Sequence, residues 1–173
     1  MEKDESYIIT RILAGKTEEY AYFLDTYGQP VFSLIVRMVN SEEDAEELTQ
    51  DTLMKAFEHL SSFNGKSSFS TWIYRIALNT CISFIRKEKN IPEIVTLTQE
   101  ADRSEEDDET QAMLQQLYRM INRLGQLEKS IILLYLEEKS YEDISEITGL
   151  TVTNVATKLN RIKDKLKKMN KED

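Results

Sequence analysis

Apolar residues recur at steps of three and four along most of this chain, the period of helices that bury one face. A run from Tyr7 to Leu13 predicts a short first helix. Glu18 to Val39 predicts a long second one, with Tyr20, Phe23, Leu24, Tyr27, Val31, Leu34, Ile35 and Met38 as its apolar stripe. Pro30 lies inside that run and is expected to kink the helix or reset its start, because proline lacks the N–H and crowds the preceding turn. A third helix opens at Ser41, with Asp44 three residues on as a capping pair, and carries Ala45, Leu48, Thr52, Ala56, Phe57 and Leu60. The fourth, from about Ser68 to Lys89, turns Phe69, Ile73, Ile76, Thr80 and Phe84 inward.

This periodicity stops at Pro92. From there to Asp108 the chain is polar and charged, with little apolar surface to bury, which predicts a flexible linker. An exposed helix start would account for its last residues. Beyond it, Met113, Leu114, Leu117, Met120, Ile121 and Leu124 mark a helix that Gly125 breaks, and Leu127 to Leu136 marks the next. Ser140-Tyr141-Glu142-Asp143 opens a short helix with Ile144 and Ile147 inward. Gly149 ends it, and Thr151 caps the last helix. The expected fold is all-α: a domain at 1–91, an acidic linker at 92–109 and a second, smaller domain at 110–173.

With 5 glycines and 2 prolines in 173 residues, the composition favours long helices over a β-rich fold. No window approaches the roughly 18 consecutive apolar residues of a spanning helix. The opening Met1-Glu2-Lys3-Asp4 lacks the layout of a secretory signal, so a cytoplasmic location without membrane insertion is expected. Cys81 is the only cysteine, which excludes an internal disulfide and argues against a cysteine-based metal site. Beside Ala77 and Phe84 it reads as a buried, inert thiol. His59 is also alone and reads as a surface or helix-end histidine. There is no glycine-rich phosphate loop, Ser-His-Asp set or paired-histidine motif. No catalytic residue, metal, cofactor or small-molecule substrate is expected, and the chain is not expected to be an enzyme.

A net charge of −9 looks unsuited to nucleic acid, but it is unevenly placed. Glu93 to Glu109 holds eight acidic residues against one basic, a balance of −7, so the rest of the chain carries only −2. Lys158 to Lys171 holds seven basic residues against Asp164 alone. Local potential decides where a polyanion docks.

The segment Tyr141 to Lys168 has the build of a helix-turn-helix: a short helix, a turn with glycine, then a longer two-faced helix. Val155, Leu159, Ile162, Leu166 and Met169 form its narrow apolar stripe. Asn154, Thr157, Lys158, Arg161, Lys165 and Lys168 fall on the other side, where amides, hydroxyls and cations suit base edges and phosphates. Positions Asn154, Val155, Ala156, Thr157 and Lys158, near the helix start, are expected at the groove floor. Arg161, Lys163 and Lys165 are better placed for the backbone. An amphipathic terminal helix with solvated lysines gives a similar pattern, but the short helix, glycine turn and cationic face together favour DNA.

In the first domain, Phe63 to Trp72 is a polar turn bracketed by aromatics, with Lys66 and Ser68 in it and Thr71 at the helix start. Trp72, Arg75, Asn79 and Arg86 share a helix face. Rings that stack, an amide that reads a base edge and cations that meet phosphates suit unstacked single strands. Aromatics at helical spacing also suit a core, and Trp72 is open to that reading. On the preceding helix, Glu43, Asp44, Glu47, Gln50, Asp51 and Lys55 point away from the apolar stripe. DNA would be repelled there, leaving a basic protein surface or plain solvent as the alternatives.

These three surfaces, in this order, resemble the extracytoplasmic-function group of the sigma-70 family of bacterial RNA polymerase sigma factors. The segment Asp44-Ala45-Glu46-Glu47-Leu48-Thr49-Gln50-Asp51-Thr52-Leu53-Met54-Lys55-Ala56-Phe57 is similar to the family's polymerase-binding segment in region 2. Phe69-Ser70-Thr71-Trp72-Ile73-Tyr74-Arg75-Ile76-Ala77-Leu78-Asn79 resembles its promoter-melting segment. Ser140 onward resembles region 4, the reader of the minus-thirty-five element. The resemblance implies that the chain binds core RNA polymerase and promoter DNA. It also implies that Phe63 and Asn79 hold a flipped minus-ten base, and that a separate anti-sigma factor regulates the chain. Gly125 stands where the family commonly has proline, and Ala156, Lys158 and Lys163 replace frequent basic residues. Lysine lacks arginine's bidentate contact to guanine, so the promoter sequence does not carry over. A free-standing helix-turn-helix regulator would explain the second domain but not the acidic helix or the Asn79 face. A helical adaptor that binds only proteins would explain neither nucleic-acid face.

Overall fold

The computed structural model describes residues 4–88 and 108–172, and among them the secondary structure is all-helical. Four α-helices, α1 (Glu5–Leu13), α2 (Ala21–Val39), α3 (Glu42–Glu58) and α4 (Phe69–Glu88), build one compact unit. In the second stretch, α5 (Asp108–Asn122), α6 (Gln126–Leu136) and α8 (Val152–Glu172) build the other, and α7 (Tyr141–Thr148) leads into α8 through a tight turn.

In the first unit, α2, α3 and α4 pack pairwise around Phe23, Val31, Leu34, Ile35, Ala45, Ala56, Phe69 and Ile73, all essentially without solvent contact. Fully burying a side chain such as Leu34 or Phe69 contributes roughly 1.5–3 kcal/mol, which is what holds the three helices together. Cys81 is buried among them, as its helical neighbours imply. The chain enters α2 through a 3-10 turn at Thr17–Tyr20, so the regular helix starts at Ala21 rather than Glu18. Pro30 does not reset that start, since α2 runs nine residues ahead of it and through it. Phe23 on one side and Val31, Leu34 and Ile35 on the other are buried in the same core. That packing outweighs an interior proline's cost of about 3 kcal/mol.

Local chemistry sets the helix ends. The Asp4 carboxylate accepts from the Ser6 amide at 3.0 Å to start α1, and the Ser41 hydroxyl accepts from the Asp44 amide at 3.3 Å to start α3. Asn40 closes α2 in the left-handed region, with φ +56°. In the second unit, Ile121, Ile131, Leu133, Leu134, Ile144, Val155, Leu159 and Ile162 are buried. Asp108 and Glu109, read from sequence as the end of the linker, form the first turn of α5, where negative charge complements the helix dipole. The rest of that acidic linker, like Lys89, lies outside the described residues. Gly125 sits in the gap after α5 as the extended N-cap of α6, its amide donating to the Glu128 carboxylate at 3.4 Å.

Candidate nucleic-acid interfaces

Local bonds fix the start of α7 and the turn that follows it. The Ser140 hydroxyl accepts from the Asp143 amide at 3.1 Å while the Asp143 carboxylate accepts from the Ser140 amide at 3.4 Å, a reciprocal cap for α7. Gly149 follows with φ +79°, a left-handed residue that lets the chain reverse without a Cβ penalty. The Ser145 hydroxyl donates to the Leu150 carbonyl, and the Thr151 hydroxyl accepts from the Asn154 amide at 3.2 Å to start α8.

Along α8 the two faces separate as expected. Val155, Leu159, Ile162 and Leu166 are buried, whereas Asn154, Thr157, Arg161 and Lys168 are exposed. Thr153 and Asn160 are exposed on the same arc, one turn either side of Thr157, and escaped the sequence reading despite that spacing. Three positions depart from it. Val155, placed there among the groove-floor residues, has a fully buried side chain that serves the core instead. Lys163 lies over the Tyr135 ring at 4.2 Å from its centroid and donates to its hydroxyl at 3.2 Å. Lys165 is paired with the Glu128 carboxylate at 2.8 Å, a bond that holds Glu128 below its ordinary range. Both lysines brace α8 against α6. Ala156 and Lys158 are half-buried.

In the first unit, the loop before α4 is shaped by Gly65 at φ +71° and by the Asn64 side chain, which accepts from the Lys66 amide at 3.0 Å. The Ser68 hydroxyl accepts from the Thr71 amide at 3.1 Å and donates to the Thr71 hydroxyl. These two candidate contact residues therefore also cap α4, and Thr71 is buried. Phe69 is the hub of an aromatic cluster, with ring centroids 4.2 Å from Phe23, 5.7 Å from Phe63 and 5.5 Å from Trp72. Trp72 is half-buried, its ring resting on the cluster.

Two hollows flank this cluster. One, of about 270 Å³, is lined by Trp72, Ile76 and Asn79 of α4 with Lys55 and His59 from the end of α3. The other, of about 380 Å³, is lined by Phe63, Lys66, Ser67 and Ser68 of the loop with Glu5 and Ser6 of α1. Phe63 and Asn79 thus line different hollows, bridged by the Phe63–Trp72 contact at 5.3 Å. Arg75 and Arg86 are exposed on α4. His59 lies at the end of α3, where the sequence placed it, but Glu5, Ser6, Lys55 and His59 carry no sequence signal linking them to these hollows. Only tertiary packing brings them there.

On α3, Glu47, Gln50 and Asp51 are exposed, Asp44 and Lys55 are half-buried, and Lys55 is paired with Asp51 at 2.8 Å. Met54 stands among them 61% exposed, an apolar centre in a polar face. Its step from Gln50 could have shown it.

A short helix, a left-handed glycine turn and a long helix with a cationic outer face define residues 141–172 as a helix-turn-helix, a DNA-reading module. Family models agree: sigma-70 region 2 matches residues 23–91, and sigma-70 region 4 matches residues 114–166. The chain is 34% identical over 149 residues to the RNA polymerase sigma factor YlaC of Bacillus subtilis, covering 82% of this chain and 86% of that one. It is 28% identical over 171 residues to the ECF RNA polymerase sigma-E factor of Haemophilus influenzae, covering 91% and 90%. Its fold is similar to sigma factor RpoE bound to the anti-sigma factor NepR from Bartonella quintana. That likeness has a TM-score of 0.74 and 23% identity, covering 90% of this chain and 99% of that one. The chain belongs to the extracytoplasmic-function group of the sigma-70 family. Its role is that of a sigma factor, directing core RNA polymerase to promoters and initiating transcription. Among the described residues no helix is long and apolar enough to cross a membrane.

Proposed function

We propose that the two nucleic-acid faces divide promoter recognition between them, with no catalytic step performed by the chain itself. Residues 1–91 act on core polymerase and the minus-ten element, 110–173 on the minus-thirty-five element, and the acidic stretch 92–109 joins them. Trp72, Arg75 and Asn79, with Phe63 and Lys66 on the adjoining loop, hold the non-template strand as it opens. Unpairing a base costs a few kcal/mol, which stacking and a hydrogen-bonded amide offset. Asn154, Thr157 and Arg161 contact the duplex through α8, while Glu47, Gln50, Asp51 and Met54 on α3 meet a basic surface of core polymerase. The protein acts in the cytoplasm, and an anti-sigma factor holds it inactive, by analogy with the complexes its fold resembles.

The observation that carries this reading is the pairing of Trp72 with Asn79 in one open hollow on α4, a ring beside an amide at the surface. The test is in-vitro transcription from fragmented genomic DNA with core polymerase, with and without the protein. Discrete starts that need the protein are expected. Asn79→Ala should slow promoter opening about tenfold, the scale of one lost buried hydrogen bond, without changing affinity for core polymerase. An Asn79→Ala protein that opens promoters like the parent would remove Asn79 from the site.

A further inference from the structure

The hollow on α4 is lined by two kinds of chemistry. Trp72, Ile76 and Asn79 contribute a ring, an aliphatic side chain and an amide, while Lys55, His59 and Ser62 contribute two titratable groups and a hydroxyl. An unstacked nucleotide uses both, because its base stacks and pairs while its phosphate meets donors and cations. The backbone of His59 is pinned on both sides. Its amide donates to the Lys55 carbonyl at 3.0 Å, and its carbonyl accepts from the Ser62 amide at 2.9 Å and the Ser62 hydroxyl at 2.6 Å. The residue is nonetheless exposed, so its position is fixed while its imidazole stays open to a ligand. Lys55, one turn earlier on α3, is paired with Asp51 at 2.8 Å, which already answers part of its charge. Glu58, beside His59, is exposed. The 3-10 turn Leu60–Ser62 carries no charged group. Nor does α4 bring one to the lining, since Arg75 and Arg86 are exposed outside it.

We propose that His59 is a further strand-contacting residue, whose protonated imidazole meets a phosphate of the opened strand, so that promoter opening strengthens with acidification. The inference rests on the reading above, that the Trp72 and Asn79 hollow holds the non-template strand, and adds a titratable contact to it. Imidazole is the side chain whose ordinary titration falls between about pH 5 and pH 8. When neutral it offers a phosphate one N–H donor and no charge. When protonated it offers two donors, a positive charge and a charge-assisted bond. A ligand that prefers the protonated form binds more tightly as pH falls through the imidazole's range, and that gain is lost as pH rises above it. The chain has a single histidine, so the response belongs to one side chain of this protein.

The test uses holoenzyme rebuilt from core polymerase and the full chain, on fork-junction DNA carrying a promoter recovered by the transcription experiment. Affinity and opening rate are measured across the imidazole range and at several salt concentrations, with parent and variants on the same core. The reference is His59→Gln, which keeps a polar side chain but does not titrate. Relative to it, the parent should gain about fivefold in affinity from about pH 8 to about pH 6, the scale of one exposed charged contact. The parent's slope of log affinity against log salt should steepen by about 0.7 over the same change, the release of one counterion from a single strand. His59→Lys, a cation throughout, should keep the steeper slope at every pH. Identical pH responses and salt slopes in the parent and His59→Gln overturn the inference, as does a parent that loses affinity on acidification relative to His59→Gln. Asn79→Ala separates the levels. If it slows opening while no pH response depends on His59, the hollow reading stands and His59 is excluded. If Asn79→Ala opens promoters like the parent, the hollow reading fails and the inference falls with it.

Discussion

Glu138 turns the corner after α6 with φ +59°, a left-handed conformation that costs a residue with a Cβ roughly 1–2 kcal/mol. The corner is fixed by the Lys139 amide donating back to the Leu134 carbonyl at 3.1 Å, so the backbone has no cheaper route. Glu138→Gly should therefore stabilise the second unit by up to about 1 kcal/mol, after subtracting the extra freedom glycine has in the unfolded chain. Asn40→Gly, at the equivalent corner after α2, should gain less, because asparagine tolerates this region. Urea unfolding followed by far-ultraviolet circular dichroism ranks the two, and an equal or larger gain at Asn40 would contradict the strain argument. Glu128 gives a pH-dependent case. Its folded pKa lies below the unfolded value, chiefly through the Lys165 bond. Its contribution is thus complete above the unfolded value, near 4.3, and is lost as pH falls through the folded one. Glu128→Gln should therefore cost a little stability at neutral pH, small because the pair is partly exposed, and leave the acid end little changed, so that the acid limb becomes shallower. At this scale the sequence was readable at Ser41, Ser140 and Thr151, where the partners lie three residues apart. It was silent on Lys165 and Glu128, which are 37 positions apart.

Among the elements, α2 and α8 test how far periodicity determines structure. Thr26, four residues before Pro30, has a carbonyl that an ordinary residue at 30 would bond within α2. Pro30→Ala should stabilise the first unit by about 1–3 kcal/mol if the helix can straighten against its core. Trp72 fluorescence during unfolding reads this directly, since the only tryptophan lies in that unit. A loss of stability would mean that α2 is bent to fit its neighbours. In α8 the stripe of Val155, Leu159, Ile162 and Leu166 was legible because burial follows the helical step. The working cations were not, because charge alone does not tell a lysine that meets DNA from one that braces a neighbouring helix. Arg161→Ala should lower the slope of log affinity against log salt by about 0.9, the release of one counterion. Lys165→Ala should leave that slope nearly unchanged, because Lys165 is held by Glu128. Equal losses at both positions would show that Lys165 leaves Glu128 when DNA arrives.

At the level of the whole molecule, two helical units and the order of their surfaces were legible, because each is written in local repeats on either side of a polar gap. The hollow formed by α1 and the Phe63 loop was not, since Glu5 and Phe63 meet only once both segments have packed. Charge is the property that belongs to the chain entire. Most of its net −9 resides between Glu93 and Glu109, while the cations of Lys158 to Lys171 fall in a helix whose outer face suits DNA. Negative charge in that stretch and on DNA would compete for the same cationic face. Converting Glu100, Asp102, Glu105, Glu106 and Asp107 to their amides should raise the free chain's affinity for a random duplex several-fold. The gain should be largest in 50 mM salt and shrink toward 200 mM, as screening weakens both competitors. Fluorescence anisotropy across that range measures it. An unchanged affinity at low salt would show that the acidic stretch does not restrain the free protein.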